Sequence, residues 1–128
     1  AFGFIFTVVG TLLGGMWADQ SWGRFWGWDP KENGALIIIL WCSIIYHAKA
    51  AKLIKSTGFA LSTIVTLLLV LYAWIGVNLL GVGLHSYGFT AKGASILLSA
   101  TIFEILFMTI IGFFVYKRYH NVKNTEHV

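Results

Sequence analysis

TGFALSTIVTLLLVLYAWIGVNLL, from Thr57 to Leu80, contains no charged residue. A bilayer core of about 30 Å takes roughly 20 apolar residues as a helix, so this stretch reads as a membrane span. Asn33 to about Ala51 and Gly93 to Tyr116 read the same way. Ala1 to Met16 is apolar but shorter, and it lacks the basic n-region of a signal peptide. It reads as the outer part of a helix that begins upstream, so the chain is expected to be a fragment of a longer protein, incomplete at its N-terminus. The expected fold class is all-α: one polytopic membrane domain over residues 1–128, a helical bundle of about four transmembrane helices with two outward-facing loops.

Composition supports this. The 128 residues are 58% hydrophobic, 16% aromatic and 11% charged, against roughly 45–50% apolar and about 25% charged in soluble domains. A soluble enzyme, a disordered tail and a nucleic-acid module are thereby excluded. The net charge of +4 is spread over short clusters between uncharged runs, unlike the single basic face that nucleic acid requires. Cys42 has no second cysteine to pair with and reads as a small core residue.

Orientation follows from the connections. Lys49, Lys52 and Lys55 lie in one, and Lys117, Arg118 and Lys123 lie in the 117–128 tail, on the same side of a four-span chain. The opposite side carries Arg24, Lys31 and Lys92. Cytoplasmic loops carry the Lys/Arg excess, so the tail is expected in the cytoplasm and the 17–33 connection outside.

That outer connection holds Trp17, Trp22, Phe25, Trp26 and Trp28. An interfacial belt uses one or two aromatics per helix end; this cluster exceeds it. On a continuous helix Trp22 and Trp26 would stack, with Trp17 and Trp28 aligned three turns apart. Such a patch would form a broad apolar platform at the membrane boundary. Gly23 and Gly27 weaken a continuous helix and allow a planar ligand close to the backbone. Asp29, Pro30 and Glu32 then read as the N-cap, first position and third position of a capping box that launches the next helix. Their expected role is structural rather than acid–base.

Among the histidines, His85 lies in the second outer loop between Gly81, Gly83 and Gly88, where an imidazole can serve as a metal ligand, axial haem iron included. His47 lies inside a membrane helix near its cytoplasmic end. Ionisable groups there are functional candidates, the alternative being a packed or snorkelling side chain beside Lys49. His120 and His127 belong to the polar tail. Glu104, near the middle of the last span, reads as protonated, paired with a partner such as His47, or part of a proton path. Gly10 and Gly14 form a GxxxG pair that favours close helix packing. Ser62, Thr63, Thr66, Ser95 and Ser99 offer hydrogen bonds across helices.

WGRFWGWDPKE, from Trp22 to Glu32, resembles the tryptophan-rich WWD signature of the haem-handling proteins of cytochrome c biogenesis. GVNLLGVGLHSYGF, from Gly76 to Phe89, resembles the matching segment of the system II cytochrome c synthase subunit of CcsA/ResC type, and the similarity runs from about Gly10 to Phe89. The resemblance implies that the WWD loop holds haem b against its aromatics on the outer membrane face, with Trp22, Trp26, Trp28, Asp29 and Pro30 in the signature positions. It implies that His85 is an axial ligand of haem iron at the outer site and that His47 is an iron ligand at a transmembrane site that receives haem on its way outward. The first histidine of each pair lies upstream in that family, so this segment alone is not expected to complete a bis-histidine site. The implied reaction joins haem vinyl groups to the thiols of a CxxCH apocytochrome c, in the bacterial cytoplasmic membrane and with a ResB/CcsB-like membrane subunit as partner. Two other readings stand beside this one: a haem relay protein of the related system I type, and a membrane packing subunit with an aromatic belt.

Overall fold

The computed structural model describes residues 1–86 and 91–125. All regular structure among them is helical: α1 (Phe2–Trp22), α2 (Pro30–Ala50), α3 (Ser56–Leu79) and α4 (Ala91–Thr125). Each contains a segment long and apolar enough to cross a membrane. The protein is a polytopic helical membrane bundle. Helices satisfy every backbone N–H and C=O within the segment, as a bilayer interior demands. Tyr87 to Thr90, His127 and the side chain of His120 lie outside the described residues.

Local chemistry sets the helix ends. α1 stops at Gly23, whose left-handed backbone (φ 69°) lets its N–H reach the Asp19 carbonyl at 3.0 Å. α2 starts with Asp29 as N-cap, Pro30 in the first turn, and the reciprocal Glu32 bond that completes a capping box. The aromatic connection is therefore shorter than the 17–33 span: Trp17 to Trp22 belong to the last turns of α1, and only residues 23–29 form the turn.

α2 packs most extensively against α3. Ile38 and Ile45 of α2 are buried facing a cavity shared with α1 and α3, and the Trp41 indole N–H donates across to the Ser62 carbonyl at 3.1 Å. Near its outer end α3 widens into a π-helical turn, Tyr72–Gly76, a form that often marks functional positions. Gly34 of α2 faces it so closely that a Cβ there would lie 2.7 Å from the Ala73 Cβ. α4 rests on the same region through buried Leu97, 3.5 Å from the position of a Cβ on Gly76. Most large apolar side chains on the outer helix surfaces remain exposed, which suits a lipid surround.

Two packing expectations change. Gly10 and Gly14 have nothing within 4 Å of an added Cβ, so among the described residues no helix packs on the GxxxG face. The hydroxyls of Ser62, Thr63, Thr66, Ser95 and Ser99 donate to carbonyls three or four residues back in their own helices. This is the nearest acceptor a short hydroxyl side chain finds in a helix.

Candidate functional site

The turn at residues 23–29 is built around two buried carboxylates. Glu32 reaches back from α2, its Oε2 accepting the N–H groups of Gly27 (2.7 Å) and Asp29 (3.1 Å) and its Oε1 accepting from Arg24 Nη1 (3.0 Å). Asp29 Oδ1 accepts the N–H groups of Lys31 (2.9 Å) and Glu32 (3.0 Å). Asp29 Oδ2 faces two cations or donors: Arg24 Nη2 at 3.9 Å and His85 Nδ1 at 2.5 Å. The two signature segments, 56 residues apart in the chain, thus meet in one charge-assisted hydrogen bond. Burial pushes the Asp29 carboxyl up, but the His85 bond, the Glu32 and Lys31 N–H groups and the electrostatic attraction of His85 outweigh it and hold the carboxyl below its usual value.

The close approach needs glycine at Gly83, whose backbone has φ 90°; a Cβ there would lie 2.8 Å from the Asp29 Cβ. A second tie joins the same elements: Lys31 Nζ donates to Oδ1 of buried Asn78, at the end of α3, at 3.1 Å.

The aromatics take edge-to-face positions rather than the stacked platform expected of a continuous helix, because Gly23 ends α1 before Trp26. Trp17 and Trp22 pair at 5.1 Å and 79°, and Trp22 meets the His85 ring at 4.7 Å and 86°. Trp26 and Trp28 pair at 6.0 Å and 86°. Trp28 is a bulky residue held at φ 58° and 67% exposed. Such a conformation costs on the order of 1–3 kcal/mol and persists where the surroundings impose it; here Asn33 Nδ2 clamps the Trp28 carbonyl at 3.0 Å. Phe25 lies over Gly15, where a Cβ would come within 2.7 Å of its ring. Between the turn and α1 runs an open cleft of about 300 Å³, lined by Gly10 and Gly14 on one wall and by Phe25, Trp26, Lys31 and His85 on the other.

Trp17, Trp22, Phe25, Trp26, Trp28, Asp29, Pro30 and His85 therefore gather at one end of the bundle. His47 does not join them. It lies about 26 Å further along α2 at roughly 1.5 Å per residue, exposed, its Nδ1 2.7 Å from the carbonyl oxygen of Ser43 in its own helix. Glu104 is buried on α4, and its Oε1 has no hydrogen-bond partner among the described residues. The sequence reading missed Arg24 and Asn78 as parts of the site. Their signals were one arginine inside an apolar aromatic run and a polar Asn closing a long apolar span.

Asp29, Glu32 and His85 also bring donor atoms within 4.8 Å of one another. A divalent ion there would have to displace existing donors, since every carboxylate oxygen already accepts from Arg24, a backbone N–H or His85. The set is better described as a polar network that aims the imidazole. A carboxylate can only accept, so His85 Nδ1 carries the proton, and in the neutral imidazole Nε2 keeps the lone pair.

A multi-pass membrane protein with a tryptophan-rich turn, a cleft lined by Phe25 and Trp26, and an oriented histidine at the same end of the bundle is the class these features define. The chain belongs to the cytochrome c assembly protein family, whose profile matches residues 1–85. It is 44% identical over 86 residues to the cytochrome c biogenesis protein CcsA of Lobularia maritima, covering 67% of this chain and 26% of that protein. The CcsA proteins of Arabidopsis thaliana (43% identical, 67% and 26% covered) and Guizotia abyssinica (42%, 67% and 27%) are similar to the same extent. The chain thus spans about a quarter of the length of the curated relatives it matches. No solved structure matches it.

Proposed function

We propose that this chain provides an outer-face haem site of a system II cytochrome c synthase of CcsA/ResC type, acting in cytochrome c maturation. The observation that carries the reading is the bond from His85 Nδ1 to Asp29, which leaves Nε2 to ligate iron beside the Trp22 ring. The residues suit haem b as the substrate: one imidazole lone pair for iron, apolar ring surfaces from Phe25, Trp22 and Trp26, and the Lys31 ammonium on the cleft wall for anionic substituents. A metal-binding His that donates its other N–H to a carboxylate is the usual arrangement of such ligands.

Haem supplies two vinyl groups, and a thiol S–H of the CxxCH apocytochrome c adds across each, sulfur bonding to the carbon next to the ring and hydrogen going to the terminal carbon. No net oxidation or reduction is involved. The part left to this chain is positioning: His85 fixes the iron, and Trp22, Trp26 and Phe25 bury the macrocycle's face and exclude water. On this reading the tryptophan turn faces the outside of the bacterial cytoplasmic membrane, since six of the nine Lys and Arg fall toward the opposite end. His47, near that opposite end, serves haem on its way outward, and a ResB/CcsB-like subunit accompanies the chain.

The test co-expresses the full-length protein with a secreted CxxCH reporter in cells lacking their own synthase and measures covalent haem on the reporter after denaturing electrophoresis. A stained reporter that disappears with His85→Ala supports the synthase. An unstained reporter, with haem still co-purifying with the membrane protein, refutes attachment and favours haem relay.

A further inference from the structure

We infer that Asp29 is a positioning residue for the His85 imidazole, one carboxylate both starting α2 and presenting His85 Nε2 to the iron. The inference rests on the haem reading of His85 proposed above. Asp29 is 6% exposed, and its two oxygens divide the work. Oδ1 is used up by the Lys31 and Glu32 N–H groups, which fixes the side chain to the first turn of a membrane helix. Oδ2 is thereby held in one place, and His85 Nδ1 is bound to it.

Three consequences follow. The imidazole is confined to the tautomer with its lone pair on Nε2, the nitrogen not engaged by Asp29. Its ring plane is fixed, with the Trp22 ring nearly perpendicular to it at 86°. The direction of the Nε2 lone pair is set with the ring, as a hydrogen-bonding partner does for a histidine ligand. Asp29 acts through His85 and has no need to touch haem, although it sits in the tryptophan-rich signature. The capping role alone explains Oδ1. It leaves the His85 contact and the glycine at Gly83 unexplained.

Asn is as good an N-cap as Asp, so the separation can be made chemically. In Asp29→Asn the amide oxygen is claimed by the Lys31 and Glu32 N–H groups, and the NH₂ group is left facing His85. That group can only donate, so Nδ1 must accept and the proton moves to Nε2, where it blocks ligation. A wrong-tautomer histidine behind an otherwise intact geometry is a known consequence of an Asp-to-Asn change. Asp29→Ser also caps the helix but is too short to hold His85, and it serves if the Asn variant fails to accumulate.

The experiment titrates haem into the purified full-length protein and follows absorbance and the ferric paramagnetic resonance spectrum, with and without imidazole. Asp29→Asn, Asp29→Ser and His85→Gly are compared with the parent. Both Asp29 variants are expected to bind haem about 10–100-fold more weakly, the usual effect of removing such a hydrogen-bonding partner. The Asn variant is expected to take on the His85→Gly spectrum, while imidazole is expected to restore His85→Gly alone, where the missing ring leaves it room. Parent-like affinity and spectrum in both Asp29 variants, with His85→Gly impaired, would overturn the inference and leave the haem site standing. Weakened binding in Asp29→Asn that keeps the parent's spectrum would also overturn it, by showing a purely structural role. A His85→Gly protein with unchanged affinity and spectrum would instead remove the haem reading itself.

Discussion

Gly83→Ala isolates the contact between the two signature segments. Gly83 has φ 90°, and a Cβ there would lie 2.8 Å from the Asp29 Cβ and 3.1 Å from its Cγ and Oδ2. Asp29 cannot retreat, because Oδ1 is held by two backbone N–H groups at 2.9 and 3.0 Å. Gly81 supplies the control: it also has positive φ, 61°, but nothing lies within 4 Å of an added Cβ. At either site the left-handed backbone costs Ala about 1 kcal/mol. At Gly83 the overlap adds about another 1 kcal/mol, the low end of overpacking costs. Local opening of residues 81–86 should then rise about 5-fold in Gly81→Ala and about 30-fold in Gly83→Ala. Amide hydrogen exchange of that segment, read by mass spectrometry in detergent, measures both. Equal acceleration in the two variants would show that residues 81–86 are not seated against Asp29, and the site described above would fall with it.

Gly34→Val should push α2 off the π-helical turn, since even a Cβ would lie 2.7 Å from the Ala73 Cβ. A loss of about 1–3 kcal/mol is expected, visible as faster proteolysis and a lower unfolding temperature, and parent-like values would refute that packing. Trp28→Gly should relieve the left-handed backbone at φ 58° and leave folding unimpaired while haem retention falls; unchanged retention would remove Trp28 from the haem-binding residues. His47→Ala should leave the affinity for haem added at the outer face unchanged, because about 26 Å of helix separates the two ends. It should lower the haem content acquired inside cells, and unchanged content would make His47 structural.

The membrane helices were legible because a bilayer span needs only length and apolar composition, and Thr57 to Leu80 meets both. The start of α2 was legible too, since D-P-K-E carries its capping chemistry within one turn. The reach of α1 through Trp22 was not read, because Asp19, Gln20 and Ser21 interrupt the apolar run and look like a loop. The GxxxG pair has no close neighbour among the described residues, since a motif states that a close approach is allowed, not that a neighbour is there. Ser and Thr positions misled similarly, as the carbonyl one turn back competes with any neighbouring helix.

By itself the sequence determined the class of the protein: four apolar spans, a tryptophan-rich turn and a histidine loop that a four-span topology places at the same membrane end. Residue types, run lengths and capping signals are local quantities, and local quantities are what a chain displays. The tertiary structure alone decided what Asp29 does. Its second oxygen is spent 56 residues away on His85, in a space that exists because Gly83 lacks a side chain and Glu32 with Arg24 fixes the turn. No periodicity in the chain encodes that meeting. It arises from packing the start of α2 against the end of α3, with the Lys31–Asn78 bond as the second point of attachment.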